Sequence, residues 1–400
     1  MTVNFAQQII GRKIAPQNFG GGFLHAPKVQ IFEVIPFLDR ISSSNFLSIN
    51  KIFATDAQPY PEDERSIVIP LDQPINDDIL AIRFKGIYPK VAKNGVVEPY
   101  TAGRGLQNIF FTAIGTELKC EYGGDGPYSP YGTLSSKNLE REAKAALLLG
   151  PQITDTLLGF GIYPRYTFNT APVGFAIYGM KRKVDIRLDD YLKNSVKNTH
   201  ALPPSSDELA RHSGEMLREA HIKGLIFGYN RNANNYGVNS PTEARLLDLE
   251  TATALSSVPR EARSLLIYVD LARTIRDLLG SSSYGDWPWQ SVDCTPLLPF
   301  FLWGYFKGDT KLPFVQQLVK FTNGSYKEKE LFDTFGYAPW HGIEIEGLKT
   351  SPLIDPINIE PREATINLEY SAKWNKSFAL FYAAIKNTAA SIDRRLGLAQ

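Results

Sequence analysis

Two stretches of the sequence predict a metal-binding pair: Gly224–Val238, GLIFGYNRNANNYGV, and Ala244–Ala252, ARLLDLETA. Four asparagines within six positions favour a loop, whereas LLDLE is typical of an apolar strand interrupted by charge. Asn235 and Asp248 would then offer an amide oxygen and a carboxylate, a hard-oxygen pair suited to magnesium or manganese. The alternative is an ordinary polar turn followed by an aspartate at the end of a strand.

A helical half of the chain surrounds this loop. Residues 208–224, ELARHSGEMLREAHIKG, are amphipathic and end in glycine, which predicts a helix. Further helices are predicted at 260–279, 313–321 and 372–396. The apolar run at 297–306 is too short for a membrane span and is interpreted as a buried helix.

The half that precedes the loop is predicted to be rich in strands. Residues 1–95 carry short apolar segments between Pro, Asp and Asn, and no chemistry is apparent there. Residues 100–122 alternate turn and strand, and Gly103 and Gly105 open a flexible hairpin. Lys119 lies in the strand that follows. The stretch SSKNLEREAKAALLLG predicts a helix over Ser136–Leu149, bounded by a serine and a glycine.

ATP and metal binding requires certain groups in a certain order along the chain. The sequence has this order: the glycine hairpin, Lys119, the helix glutamates, then Asn235 and Asp248. The glycines would bring backbone N–H groups to the phosphates, and Lys119 would reach the same phosphates. Either Glu140 or Glu142, both on the next helix, could hold that lysine in place. Taken singly, Lys119 could also be an exposed lysine of a strand, and Glu140 and Glu142 could be ordinary surface residues of a helix.

Charge and cysteine content limit the partners that we expect. The 43 basic and 42 acidic residues give a formal charge of +1, which does not call for a nucleic acid or an anionic membrane. Two cysteines are too few for a disulfide framework and suit a reducing compartment. We therefore expect a cytoplasmic protein with no nucleic-acid or membrane partner.

Three further stretches carry a family resemblance: GPYS at 126–129 with LSS at 134–136, AIYGMKRKVDIR at 176–187, and the loop from Phe227 to Asn235. Together they resemble the protein-kinase superfamily, and most closely the selenoprotein O pseudokinases, whose known members transfer AMP to protein hydroxyls. The resemblance covers about residues 100–255. It implies ATP with Mg²⁺ or Mn²⁺ as cofactors and a nucleotide contact for Arg187, whereas Met180 stands where that family has another arginine.

The resemblance implies an α+β fold with two lobes. Residues 1–95 would form a β-rich N-terminal extension. Residues 96–197 would form the kinase-like N lobe and hinge, and residues 198–400 a helical C lobe with a C-terminal extension.

The loop departs from the kinase pattern at the catalytic positions. Phe227 replaces a histidine, and Asn234 stands where selenoprotein O-like sequences place an aspartate. An asparagine cannot accept a proton at neutral pH as a carboxylate can. Glu250 is the remaining local carboxylate, either as a displaced base or as a second metal ligand.

Three functions follow from these features. The first is a transferase that passes AMP or phosphate from ATP to a protein or small-molecule acceptor, with AMP favoured by the resemblance alone. The second is an inactive pseudokinase that acts as a nucleotide-binding or regulatory module. The third is an interaction protein that binds no nucleotide.

Overall fold

A computed structural model describes residues 29–54, 66–100, 129–227, 235–257, 270–271, 274 and 297–306. It is a mixed α+β structure that divides into two compact units. Of the described residues, the first unit holds 29–54, 66–100, 129–186 and 245–252. The second unit holds 187–227, 235–244, 253–257, 270–271, 274 and 297–306.

The strands and helices follow in chain order. The strands are β1 (Gln30–Glu33), β2 (Ser66–Ile75), β3 (Ile79–Lys85), β4 (Pro99–Tyr100), β5 (Ser129–Pro130), β6 (Leu134–Ser135), β7 (Thr156–Phe168), β8 (Ala171–Met180), β9 (Leu225–Ile226), β10 (Tyr236–Ser240), β11 (Glu243–Leu246) and β12 (Thr253–Ala254). The α-helices are α1 (Ser43–Ala54), α2 (Ser136–Leu149), α3 (Leu188–Thr199), α4 (Ser206–Ile222) and α5 (Leu298–Tyr305).

The first unit is built on an antiparallel sheet with the strand order β1-β7-β8-β3-β2, and β6 pairs with β8. One side of this sheet forms an aromatic and aliphatic core, in which Phe53 of α1 contacts the rings of Phe84 and Phe175. Burying side chains of this size stabilises the sheet by about 1.5–3 kcal/mol each. The sheet takes strands from both sides of residue 95, where the sequence analysis places a domain boundary.

Helix α2 packs against β8 in the first unit, and its ends are defined by local chemistry. The Ser135 hydroxyl accepts a hydrogen bond from the Asn138 N–H, and Gly150 follows the last turn with φ of 76°. Gly174 of β8 permits a close approach, since a Cβ there would lie 2.7 Å from the Leu139 side chain. The helix therefore holds its buried face directly against the sheet.

The second unit is centred on α4 and α5, which pack closely together. A Cβ at Gly214 would lie 1.9 Å from the Phe301 carbonyl oxygen, so the helices meet at a point where a side chain has no space. His221 of α4 contacts α5 and one further segment: its Nδ1 lies 2.7 Å from the Tyr305 hydroxyl of α5, and its Nε2 lies 2.9 Å from the Asp270 carboxylate. Burial is the main cause that raises the pKa of Tyr305 well above its usual value.

Several predicted elements are confirmed. The helix over Ser136–Leu149 has the predicted bounds, residues 208–222 lie in α4, and residues 298–305 form α5. The helices predicted at 313–321 and 372–396, and all but three residues of the one at 260–279, lie outside the described residues. Across the described ranges, no helix combines the length and the apolar character that a membrane span requires.

Candidate functional site

The site begins with two basic side chains on β3, inside the first unit. Arg83 and Lys85 alternate with Ile82 and Phe84, which point into the aromatic core, so the basic residues share the opposite face of the sheet. Both are buried, at 2% and 7% exposure. Because lysine and arginine are almost never fully buried unless they are paired, this face of the sheet must supply acidic partners.

Lys85 lies among three carboxylates. Its ammonium donates to Glu142 Oε2 at 2.9 Å and to Asp248 Oδ1 at 2.6 Å, and it lies 4.0 Å from Glu250 Oε2. The side chains of Glu142 and Glu250 are buried, whereas that of Asp248 is 29% exposed. We call these four side chains the Lys85 cluster, and Asp248 is its most exposed member.

Glu142 is fixed at both of its carboxylate oxygens. Lys85 donates to Oε2, and the Tyr178 hydroxyl on β8 donates to Oε1 at 2.8 Å. Burial, followed by the charge of Glu142 and this hydrogen bond, raises the pKa of Tyr178 well above its usual value, so the phenol stays a donor. Glu142 is thus an orienting carboxylate for Lys85, held from the sheet by Tyr178.

Asp248 and Glu250 reach the cluster on a segment that is tied to residues 152–154. Leu246 donates its N–H to the Ile153 carbonyl at 2.8 Å, and Thr154 donates its hydroxyl to the Leu246 carbonyl at 2.7 Å. Asp248 then has a φ of 55°, in the left-handed region that aspartate tolerates better than most residues. A strained backbone at a functional position is a recurring property of binding sites.

A second charged network continues from the cluster across the same unit. The Arg83 guanidinium lies 5.1 Å above the Tyr178 ring and 3.3 Å from both Asp155 and Asp185. Burial lowers the pKa of Arg83, but the charges of Asp185 and Asp155 outweigh burial and raise it above its ordinary value. Arg182 donates to the same two aspartates. Each of the two guanidinium groups thus contacts both aspartates, and the network holds the basic face of the sheet.

The acidic members of the Lys85 cluster have the right chemistry for a hard cation. Glu142, Asp248 and Glu250 each place one oxygen within 4.8 Å of the others. Carboxylate oxygens are the preferred protein ligands of magnesium and manganese. Asp248 is the most exposed of the three carboxylates and is therefore the one most open to such a cation, and Glu250 follows it by two residues.

The structure brings together three of the sequence-predicted site residues, namely Glu142, Asp248 and Glu250. Glu140 lies on the other side of α2 and pairs with Lys144 of the same helix, so Glu142 is the helix glutamate that binds the buried strand lysine Lys85. Two predicted residues belong to the second unit: Arg187 precedes α3 and bridges to the backbone of Gly237, and Asn235 is buried. Gly103, Gly105, Lys119 and Asn234 lie outside the described residues, and their roles stay predictions.

Sequence reasoning missed Lys85, because residues 1–95 were expected to carry no chemistry. A signal was present: ILAIRFK places two basic residues at alternate positions of an apolar strand, which puts both on one face. Tyr178 was also missed, and its sequence context, a run of apolar residues, gave no sign of its hydrogen bond to Glu142. The helical spacing also distinguishes Glu142 from Glu140, because the buried residues Leu139 and Ala146 lie three and four positions from Glu142 and so share its face of α2.

Comparison with known proteins finds one weak structural similarity and no sequence family. No protein-family model matches the chain. No curated protein matches it either. Among solved structures, the chain is similar to a divergent kinase of Toxoplasma that lacks the glycine-rich loop and regulates the membrane ultrastructure of the parasitophorous vacuole. The identity is 12% and the TM-score is 0.23.

That similarity covers 46% of this chain and 55% of the Toxoplasma kinase chain. The chain thus spans about half the length of the solved structure that it matches. At this TM-score the likeness carries no argument about fold or function. The resemblance to the selenoprotein O family stays a prediction from the sequence.

Proposed function

We propose that the chain binds a nucleoside triphosphate together with a divalent cation at the Lys85 cluster, as an atypical kinase-like protein with two lobes. One observation carries this proposal: a buried strand lysine is held between a glutamate of a packed helix and an aspartate that follows a strand. In protein kinases a strand lysine pairs with a helix glutamate, and an aspartate holds the magnesium ions. The proposal thus gives Lys85 the role that the sequence analysis assigns to Lys119.

Each member of the cluster has a distinct task in this proposal. Lys85 supplies a positive charge for phosphate oxygens, and Glu142 with Tyr178 keeps that charge in place. Asp248 is the most exposed carboxylate of the cluster and offers an oxygen to the cation. When bound, the divalent cation neutralises charge on the phosphate oxygens.

The burial of Glu250 bears on its two predicted roles. Its side chain is 7% exposed and its carboxylate lies 4.0 Å from the Lys85 ammonium. A general base must come within hydrogen-bond reach of the proton that it removes from the acceptor. We therefore favour Glu250 as a second ligand of the cation over a displaced base.

We propose AMP as the group that is transferred. The sequence resemblance favours AMP over phosphate, and a protein hydroxyl or a small molecule is the acceptor class. A second function has its own support: no aspartate occurs from Gly224 to Val238, where kinases carry the residue that orients the acceptor. A pseudokinase of this kind would bind nucleotide at the Lys85 cluster without turnover.

The binding half of the proposal is tested by calorimetric titration of the full chain with ATP and Mg²⁺. Hydrogen bonds to charged groups contribute about 1.5–3 kcal/mol. Lys85→Met is therefore expected to weaken ATP binding by roughly 10- to 150-fold. The matched control is Lys90→Met, because Lys90 pairs with Glu98 on the surface and should leave the affinity unchanged. A folded wild-type chain that does not bind ATP, or equal affinities for wild type and Lys85→Met, would contradict the proposal.

The transfer half is tested by mass spectrometry of candidate acceptor proteins incubated with the chain, ATP and Mg²⁺ or Mn²⁺. A gain of adenylate, which Asp248→Asn abolishes, supports the AMP transferase, and a gain of phosphate supports an ordinary kinase. ATP binding without either product supports the pseudokinase.

A further inference from the structure

The contact between Lys85 and Asp248 has a consequence for the order in which ligands bind. Lys85 approaches Asp248 Oδ1 at 2.6 Å, closer than the 2.9 Å to Glu142 Oε2. The carboxylate that is most open to an external cation is thus already bonded to an internal one. Glu142, Asp248 and Glu250 each place one carboxylate oxygen within 4.8 Å of the others, a spacing that a metal ion could bridge.

Lys85 and a divalent cation are competing partners of Asp248. An ammonium hydrogen-bonded to Oδ1 and a doubly charged ion on the same carboxylate would repel each other in a site that is largely shielded from water. The ion can therefore bind well only when the Lys85 ammonium withdraws from Asp248. A phosphate group supplies the alternative acceptor that this withdrawal requires.

Glu142 makes such a movement of Lys85 feasible. Tyr178 holds Glu142 Oε1 at 2.8 Å, so Oε2 remains a fixed partner for the ammonium. Lys85 can exchange Asp248 for a phosphate oxygen while it keeps the bond to Glu142. The lysine therefore always keeps one carboxylate partner. A buried lysine without any such partner would cost several kcal/mol.

We propose that Lys85 is a built-in counter-cation that keeps divalent metal off Asp248 until a nucleotide phosphate binds. This inference rests on the proposed function, and it adds that nucleotide and metal bind cooperatively. Free metal alone binds weakly, because it has to displace the ammonium. ATP alone also binds weakly, because it must take Lys85 from Asp248.

The first test is the affinity for Mn²⁺ alone, without nucleotide, measured by electron paramagnetic resonance of the free ion. Coupling between sites typically amounts to a 5- to 150-fold change in affinity. Lys85→Met keeps a side chain of similar length without the charge, and should bind Mn²⁺ at least about fivefold more tightly than wild type. Lys90→Met, which removes an exposed lysine of the same unit, should match wild type. Equal or weaker Mn²⁺ binding by Lys85→Met overturns the inference.

The second test uses ATP alone in the presence of a chelator, and it remains decisive if Lys85→Met does not fold. Asp248→Asn removes the charge that competes for Lys85 and retains a residue that accepts a positive φ. Its affinity for metal-free ATP should rise at least about fivefold over wild type, whereas unchanged or weaker binding overturns the inference.

The two proposals fail separately. If wild type binds no ATP in the presence of metal while Lys85→Met binds Mn²⁺ more tightly, the nucleotide function and the withdrawal of Lys85 to a phosphate both fall. The exclusion of metal from Asp248 by Lys85 then stands alone.

Discussion

Replacing Lys85 by methionine removes the ammonium that faces three carboxylates and keeps most of the side-chain volume. At an effective dielectric constant of about 20, one unit charge attracts another at the observed 2.6 Å and 2.9 Å by roughly 6 kcal/mol each, before desolvation is subtracted. Desolvation of a buried lysine offsets much of this attraction. Measured losses for removing one partner of a buried pair are about 3–5 kcal/mol, and we expect Lys85→Met to lose stability in that range.

The assay is urea unfolding followed by circular dichroism, with and without Mn²⁺. Because the variant removes the ammonium that binds Glu142 and Asp248, Mn²⁺ should restore stability, by about 2.7 kcal/mol at a concentration of 100 times the dissociation constant. Lys90→Met should lose at most about 1 kcal/mol, since Lys90 and Glu98 are exposed. Two results would refute the reasoning: equal losses for the two variants, or equal stabilisation of wild type and Lys85→Met by Mn²⁺.

Three other predictions concern neighbouring positions. Glu142→Gln should weaken ATP binding by about tenfold or more, because Lys85 loses its orienting carboxylate, whereas Glu140→Gln should not; calorimetry that finds equal effects contradicts this. Gly214→Ala should lower the free energy of unfolding by about 1–3 kcal/mol, because the new Cβ meets the Phe301 carbonyl, and an unchanged urea midpoint argues against that contact. The raised pKa of Tyr178 contributes stability that is fully present below pH ~10 and is lost as the pH rises through the folded-state pKa. Tyr178→Phe lacks this group, so its free energy of unfolding should fall less than that of wild type as the pH is raised, which urea titrations at alkaline pH would measure.

Local signals in the sequence were sufficient for the helix that carries Glu142. Ser135 and Gly150 end the helix through hydrogen bonds to residues within four positions, so its bounds could be predicted without knowledge of the rest of the chain. The choice between Glu140 and Glu142 was also within reach. Only Glu142 shares the face of Leu139, and that face is the one that packs on the sheet.

Lys85 could not be found in this way, because its partners are distant in sequence. Glu142 is 57 residues away and Asp248 is 163 residues away, and no local pattern encodes those pairings. A lysine directly after a glycine hairpin, as at Lys119, was the better match to a motif read along the chain. Two basic residues in an apolar strand are a weaker signal that gains meaning only when the sheet places Tyr178 beside them.

The path of the chain explains why the cluster is complete within one unit. Residues 245–252 belong to the first unit, although the residues that precede and follow them belong to the second. This short segment carries Asp248 and Glu250, and its hydrogen bonds to residues 152–154 fix where Asp248 lies. The ion pairs of Lys85 therefore depend on the first unit alone. Since Asp248 combines a charge with a left-handed backbone, Asp248→Ala would lose both the carboxylate and its tolerance of that conformation, and Asp248→Asn isolates the charge.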